Sequence, residues 1–374
     1  MSELLIVKLV AGGQGLGFLE GKAVFVPGVL PGERVRVRVV ERRRDFDRAA
    51  LLEVLAPSPR RAPPPCRLAG ICGGCDWLHI DYDEQLALKA AIVQETLRRT
   101  GRIERVSIGI EPSPALASRN RAQIHRDGEG RLGYMAAGSS RIVAVETCPI
   151  VALPINGLFD GTLPAPHVLD RFTVFSDGAV VATEGTDDDR DLAVRVCDRT
   201  ISFSVGCFFQ SNLAALEKLV PWVVEGLSGA AAADLYCGVG LFGAFCADRF
   251  SRIICVESSA MSLSYARRNV AGAGHEFHPL SVEQWIASGA ARPSFDVVVV
   301  DPPRAGLGAE VREWLCGAPP GRLVYVSCNP VTLARDLGAL CAGGFVLDDL
   351  RLFDFYPQTS HVEAVAKLAF GGKT

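Results

Sequence analysis

The chain predicts an α/β protein whose second half is a doubly wound parallel sheet, and three observations predict it. From Cys207 onward, short apolar runs (Ala233–Tyr236, Arg252–Glu257, Phe295–Asp301, Leu323–Ser327) alternate with stretches of helical character, the pattern of βαβ units. The first run ends in a glycine-rich turn that opens a helix, Asp234-Leu235-Tyr236-Cys237-Gly238-Val239-Gly240. The residues before Cys207 lack this alternation and show short strand-like runs separated by turn residues.

Residues 1–56 read as a small β-barrel. Gly12-Gly13-Gln14-Gly15-Leu16-Gly17 resembles a dinucleotide loop, but no helix opens after it, so it reads as turns between strands. Arg34-Val35-Arg36-Val37-Arg38-Val39 puts arginines on one side of a strand and valines on the other. With Arg42, Arg43, Arg44, Arg48, Arg60 and Arg61, this is a local basic face in a chain of net charge −3. That face suits either solvent or RNA. Pro57 to Pro65 reads as a linker, and Asp81 to Arg99 as a helix with Tyr82, Leu86, Ala90 and Val93 on one face. Residues 106 to 205 read as mostly antiparallel β structure. The division expected is 1–56, 57–205 and 206–374.

With 49% hydrophobic and 22% charged residues in 374, the chain has the make-up of an ordinary globular protein with a sizeable core. Glu3 and Lys8 interrupt any apolar leader, and the longest apolar stretch, Gly229 to Ala247, carries Asp234 and several glycines, so no membrane partner is expected. Twelve cysteines without a secretory leader imply a reducing compartment, the cytoplasm, where cysteines are metal ligands, nucleophiles or core residues.

The chemistry collects at strand ends. An acid opening a G-x-G turn suits a nucleoside with a charged amino-acid tail, such as S-adenosylmethionine, and Glu257 at the end of the next strand suits ribose hydroxyls. Asp301-Pro302-Pro303-Arg304 leaves a third strand and Ser327-Cys328-Asn329-Pro330 a fourth, so proline chemistry stops both strands. A thiol presented beside a methyl donor suggests covalent catalysis: a thiolate adds to carbon 6 of uracil, carbon 5 then takes the methyl group, and a base removes the carbon-5 proton. His361-Val362-Glu363 places two such groups on one side of an extended segment. Separately, Cys66, Cys72 and Cys75 sit in a glycine-rich loop, and Cys148 is a plausible fourth thiol. Four thiolates suit zinc or an iron–sulfur cluster, and the spacing leaves both open.

Taken together these segments resemble the bacterial RNA uracil-C5 methyltransferases, most closely the iron–sulfur branch acting on 23S ribosomal RNA. The resemblance implies a Rossmann-like class I methyltransferase domain, an N-terminal TRAM-like (OB-like) RNA-binding barrel and a central α+β domain. It implies a [4Fe–4S] cluster on Cys66, Cys72, Cys75 and Cys148. It implies S-adenosylmethionine contacts from Gln210, Tyr236, Gly238, Gly240, Glu257 and Asp301, and substrate contacts from Phe208, Asp301 and Arg304. Cys328 is implied as nucleophile and Glu363 as proton acceptor. The expected partner is RNA, with the protein acting as a monomer. The rival readings are a tRNA uridine methyltransferase, an amino-group RNA methyltransferase, since Asp-Pro-Pro-Arg resembles that acidic signature, and a non-catalytic RNA-binding protein.

Overall fold

The computed structural model describes residues 1–104, 106–166, 169–185, 191–291 and 294–372. The C-terminal half is built on an eight-stranded sheet. Its spatial order is Glu276–His278, Phe250–Val256, Gly229–Leu235, Val297–Val300, Arg322–Ser327, Glu363–Phe370, Phe345–Phe353 and Ile108–Glu111. The first five of these run parallel, each pairing in parallel with its neighbour. Val297 to Val300 are all buried, as a central parallel strand covered on both faces by helices must be. Glu363–Phe370 runs antiparallel between Arg322–Ser327 and Phe345–Phe353. Chain order reverses direction beside Gly229–Leu235, which creates a crevice at the carboxyl edge of the sheet.

The antiparallel strand has a consequence for the site. Its first residue, not its last, lies at that carboxyl edge, with Ala364 opposite Ser327. Glu363 is therefore delivered next to the segment that carries Cys328.

Six N-terminal strands, from Ser2–Leu5 to Phe46–Ala56, form one curled sheet. Beyond the first strand, the Val7 N–H donates to the Leu16 carbonyl at 2.8 Å, drawing the sheet toward closure. Val35 and Val37 are fully buried while the arginines face outward, as alternation requires. That basic face is partly neutralised: Arg36 pairs with Glu3 and Glu53, and Arg43 and Arg48 with Glu41. The expected linker is pinned to the barrel, because Arg61 meets the fully buried Glu33 at 2.6 Å.

A five-stranded antiparallel sheet (Arg121–Arg126 and Arg171–Ser176 at its centre) forms the middle region. Packing does not divide at residue 206. Ile108–Glu111 pairs with Phe345–Phe353 in the eight-stranded sheet, and the hairpin Leu192–Val196/Arg199–Phe203 buries Val194, Ile201 and Phe203 in the core on one face of that sheet. The helix runs Tyr82–Thr96, capped by Asp81, which accepts from the Asp83 and Glu84 N–H groups. Its buried residues are Gln85, Leu88, Lys89, Ile92 and Val93, so of the expected row Tyr82, Leu86, Ala90 and Val93 only Val93 is buried. The helical spacing holds, but two of the five buried positions are polar because buried partners await them.

Candidate active site

The carboxyl edge of the sheet opens into a cavity of about 1240 Å³ whose lining includes Gln210, Tyr236, Gly238, Glu257, Asp301 and Cys328. Glu257 follows the strand Phe250–Val256. Its Oε2 accepts from the Gly238 N–H at 3.1 Å and its Oε1 from the Ser259 N–H at 2.7 Å, so the acid and the glycine turn are held as one unit. Gly238 has φ +54° with open space where a side chain would start. The bare backbone is thus available to a ligand.

Gly240 differs. It does not line the cavity; at φ +79° a Cβ there would meet the Ala266 Cα at 2.9 Å. What its missing side chain allows is close packing against the helix that carries Ala266. Asp234 is buried, and its Oδ2 accepts from the Gly243 N–H at 2.8 Å, so it ties the following helix to the strand. Burial holds its carboxyl up at about 7.

Phe208 and Phe209 do opposite work. Phe209 stacks on Phe203 with ring centroids 4.1 Å apart, whereas Phe208 is 62% exposed at the cavity mouth. The Arg121 guanidinium lies 5.9 Å from the Phe208 ring centre, a cation–π geometry that steadies an exposed aromatic.

Cys328 follows the strand Arg322–Ser327 and precedes the helix Pro330–Ala342, which Asn329 caps through the Val331 N–H at 3.0 Å. Asn329 also donates to the Arg304 carbonyl at 2.9 Å, and Arg304 Nη2 lies 3.0 Å from His361 Nδ1. Asp301, Arg304, Cys328, His361 and Glu363 thus meet in one place. The electrostatics there favour the thiol over the thiolate. Burial, then the Glu363 and Asp301 carboxylates, push Cys328 up to about 11, with Arg304 opposing. Burial and then the Asp301 carboxylate hold Glu363 well above the ordinary range, while burial and then the Asp234 carboxylate hold Asp301 at about 7.

A second cavity, of about 1490 Å³, opens on the other side of Cys328. The barrel (Gly12, Gly28), the cysteine loop (Cys72 to Asp76) and the middle sheet (Gln123, His125, Tyr134) all contribute to its walls. Arg304, Cys328 and His361 line both cavities. The thiol therefore stands in a partition between two chambers.

The four cysteines of the separate cluster line a cavity of about 30 Å³ together with Arg119 and Tyr134. All four are free and half-buried. Gly73 allows the loop to lie against the middle sheet, where its N–H donates to the Met135 carbonyl at 2.8 Å and a Cβ would meet that oxygen at 2.9 Å. Asn156 anchors Cys148 by accepting from its N–H at 2.7 Å. Among the described residues no group of three or more such side chains stands at metal-ligating separation. Sequence reading missed Arg121, Tyr356, Arg312 and Arg335, which sit at the site only through tertiary packing and carry no local motif.

The sheet order, the glycine turn with its acidic partner and the crevice define a class I S-adenosylmethionine-dependent methyltransferase. A model of the tRNA (Uracil-5-)-methyltransferase family matches residues 185–277 and 290–369, and a TRAM domain model matches residues 3–52. An uncharacterized RNA methyltransferase of Treponema denticola is 32% identical over 96% of each chain. The 23S rRNA (uracil(1939)-C(5))-methyltransferase RlmD of Pseudomonas fluorescens is 31% identical, covering 97% of this chain and 93% of that one. The tRNA (uracil-54, C5)-methyltransferase of Pyrococcus abyssi, solved with S-adenosyl-L-homocysteine, superposes with a TM-score of 0.76 at 26% identity over 98% of this chain and 100% of that one. The chain belongs to the RNA uracil-C5 methyltransferase family.

Proposed function

We propose that this protein methylates carbon 5 of a uridine in 23S ribosomal RNA, with Cys328 as nucleophile and Glu363 as proton acceptor. The observation that carries the mechanism is the position of Cys328 on the wall common to both cavities. One chamber, bounded by Gln210, Tyr236, Gly238, Glu257 and Asp301, suits the cofactor. The other, reaching the barrel and the cysteine loop, suits RNA, with Phe208 and Arg304 at the target base.

S-adenosylmethionine supplies an electrophilic methyl group when bound. Cys328 adds to carbon 6 of the uracil, which makes carbon 5 nucleophilic; carbon 5 takes the methyl; Glu363 removes the carbon-5 proton; and the Cys328 thiolate leaves. A carboxyl raised by burial is a stronger base than an ordinary one when ionised, which suits it to take the carbon-5 proton. The thiol is poorly ionised in the ligand-free site, and a cationic sulfonium nearby would offset the two carboxylates that hold it so.

The ribosomal target rests on the RlmD relatives, matched over nearly their whole length. A second reading, a transfer-RNA target, is supported by the full-length superposition on the tRNA enzyme. Labelled methyl transfer to each RNA decides between them. Cys328→Ala should abolish transfer, and a fully active variant would overturn the covalent scheme. RNA carrying 5-fluorouridine should trap a covalent adduct, because fluorine cannot leave as a proton.

Cys66, Cys72, Cys75 and Cys148 would hold a [4Fe–4S] cluster, whose contribution would be to cross-link the cysteine loop to the middle sheet. The all-sulfur donor set fits that centre. Anaerobically purified protein should contain iron and sulfide, and stoichiometric zinc without iron would refute the assignment.

A further inference from the structure

Behind the wall that carries His361 and Glu363 lies a buried polar network for which the reaction scheme has no use. Its centre is Gln85, fully buried on the helix that follows the cysteine loop. Gln85 Nε2 donates to Gln358 Oε1 and to the Ile80 carbonyl, both at 2.9 Å, and lies 3.2 Å from the Trp77 carbonyl. Gln85 Oε1 accepts from the Gln358 backbone N–H at 2.8 Å. The Trp77 N–H in turn donates to the Gln358 carbonyl at 3.0 Å.

Gln358 needs these partners. Its φ is +65°, a left-handed conformation that costs a non-glycine residue about 1 kcal/mol and persists only where surroundings over-determine it. The same segment is held on both flanks. Lys89 Nζ donates to Asp354 Oδ1 at 2.6 Å and to the Tyr356 carbonyl at 2.9 Å, and Asp76 Oδ1 accepts from the Ser360 N–H at 2.8 Å. Ser113 and Asn212 donate to the Asp354 carbonyl at the start of this loop, but the contacts on the Gln358 backbone and on Ser360 come from residues 76–85, in the stretch that begins directly after Cys75. The loop 354–360 leads straight into His361 and Glu363.

We propose that Gln85 is a positioning residue for the proton-accepting end of the active site, acting through Gln358, and that the segment after the cysteine loop thereby sets the placement of Glu363. This rests on the reading of Glu363 as proton acceptor. Loosening this loop leaves Cys328, which belongs to a different strand, free to add to the base and carbon 5 free to take the methyl. What slows is loss of the carbon-5 proton, so the methylated Cys328–uracil adduct accumulates.

The test uses the full-length protein carrying Gln85→Met, which keeps the volume and removes the hydrogen bonds, with RNA containing ordinary uridine and methyl-labelled cofactor. The expected result is a labelled protein–RNA adduct that survives denaturing electrophoresis. kcat should fall by at least about tenfold, since a 1 Å misplacement costs on the order of 100-fold, with little change in KM for RNA. Gln358→Asn tolerates the left-handed backbone but is one methylene too short to meet Gln85; it should behave alike and serves if Gln85→Met folds poorly. Leu88→Ala, which loosens the same helix through its apolar contacts, should lower the melting temperature without adduct build-up. Turnover by both loop variants in proportion to folded protein, with no adduct, would overturn the proposal while wild-type trapping by 5-fluorouridine RNA left the reading of the site intact. Failure of the wild-type enzyme itself to trap would strike that reading instead.

Discussion

Alkylation of Cys328 as a function of pH measures the electrostatics of the site directly. With the thiol at about 11 in the ligand-free protein, roughly one molecule in a thousand carries the thiolate at pH 8, against roughly one in four for a free thiol near 8.5. A more basic thiolate is more nucleophilic, and a Brønsted slope of about 0.4–0.5 over this gap recovers roughly tenfold. Cys328 should therefore react with iodoacetamide about 20-fold more slowly than a free thiol at pH 8, with a rate that climbs until pH approaches 11. The modified Cys328 peptide, quantified by mass spectrometry, separates it from the other eleven thiols. Glu363→Gln removes one of the carboxylates opposing ionisation, so the midpoint should fall and alkylation quicken even as methyl turnover is lost. S-adenosylmethionine should lower the midpoint more than S-adenosylhomocysteine, which lacks the positive charge. A midpoint at or below about 8.5 in the free protein, unmoved by Glu363→Gln, would refute this account.

Gly240→Ala combines a left-handed backbone with a 2.9 Å approach to Ala266 and should cost about 2–4 kcal/mol in urea denaturation. Gly238→Ala faces open space and should cost only about 1 kcal/mol, while its methyl weakens cofactor binding measured by calorimetry. Lys89→Met strands the buried Asp354 carboxylate and should cost about 3–5 kcal/mol, read from the urea midpoint. Glu33 is pushed up by burial, but Arg61 and the Leu30 and Ser58 N–H groups outweigh this and hold it below 4.5. Because the folded value is depressed, the stability it contributes is present above about pH 4.5 and lost as pH falls through the folded value. Arg61→Met should lower the melting temperature on that plateau and flatten its acid decline.

Much of the fold was legible because the sheet's periodicity is local. Four apolar runs, the turn after Leu235 and the prolines after Asp301 and Asn329 each announce themselves within a few residues, and Val35 and Val37 showed which way the barrel strand faces. The helix at 82–96 was legible as a helix, but its buried face was not. Gln85 and Lys89 look like surface residues until Gln358 and Asp354, more than 260 residues away in sequence, are brought against them. Gly240 shows the same limit: a G-x-G turn reads as one motif, yet Gly238 faces the open cavity and Gly240 packs against the helix that carries Ala266.

By itself, then, the amino-acid sequence determined which residue types stand at strand ends: a thiol, two carboxylates, a glycine turn. Side-chain chemistry and chain-breaking residues are properties of a short segment. Only the tertiary structure decided that an antiparallel strand returns Glu363 to the edge that carries Cys328, that the thiol divides two chambers, and that neighbouring carboxylates suppress its ionisation. Those depend on distances between remote segments and on the water excluded between them, and no local pattern encodes either.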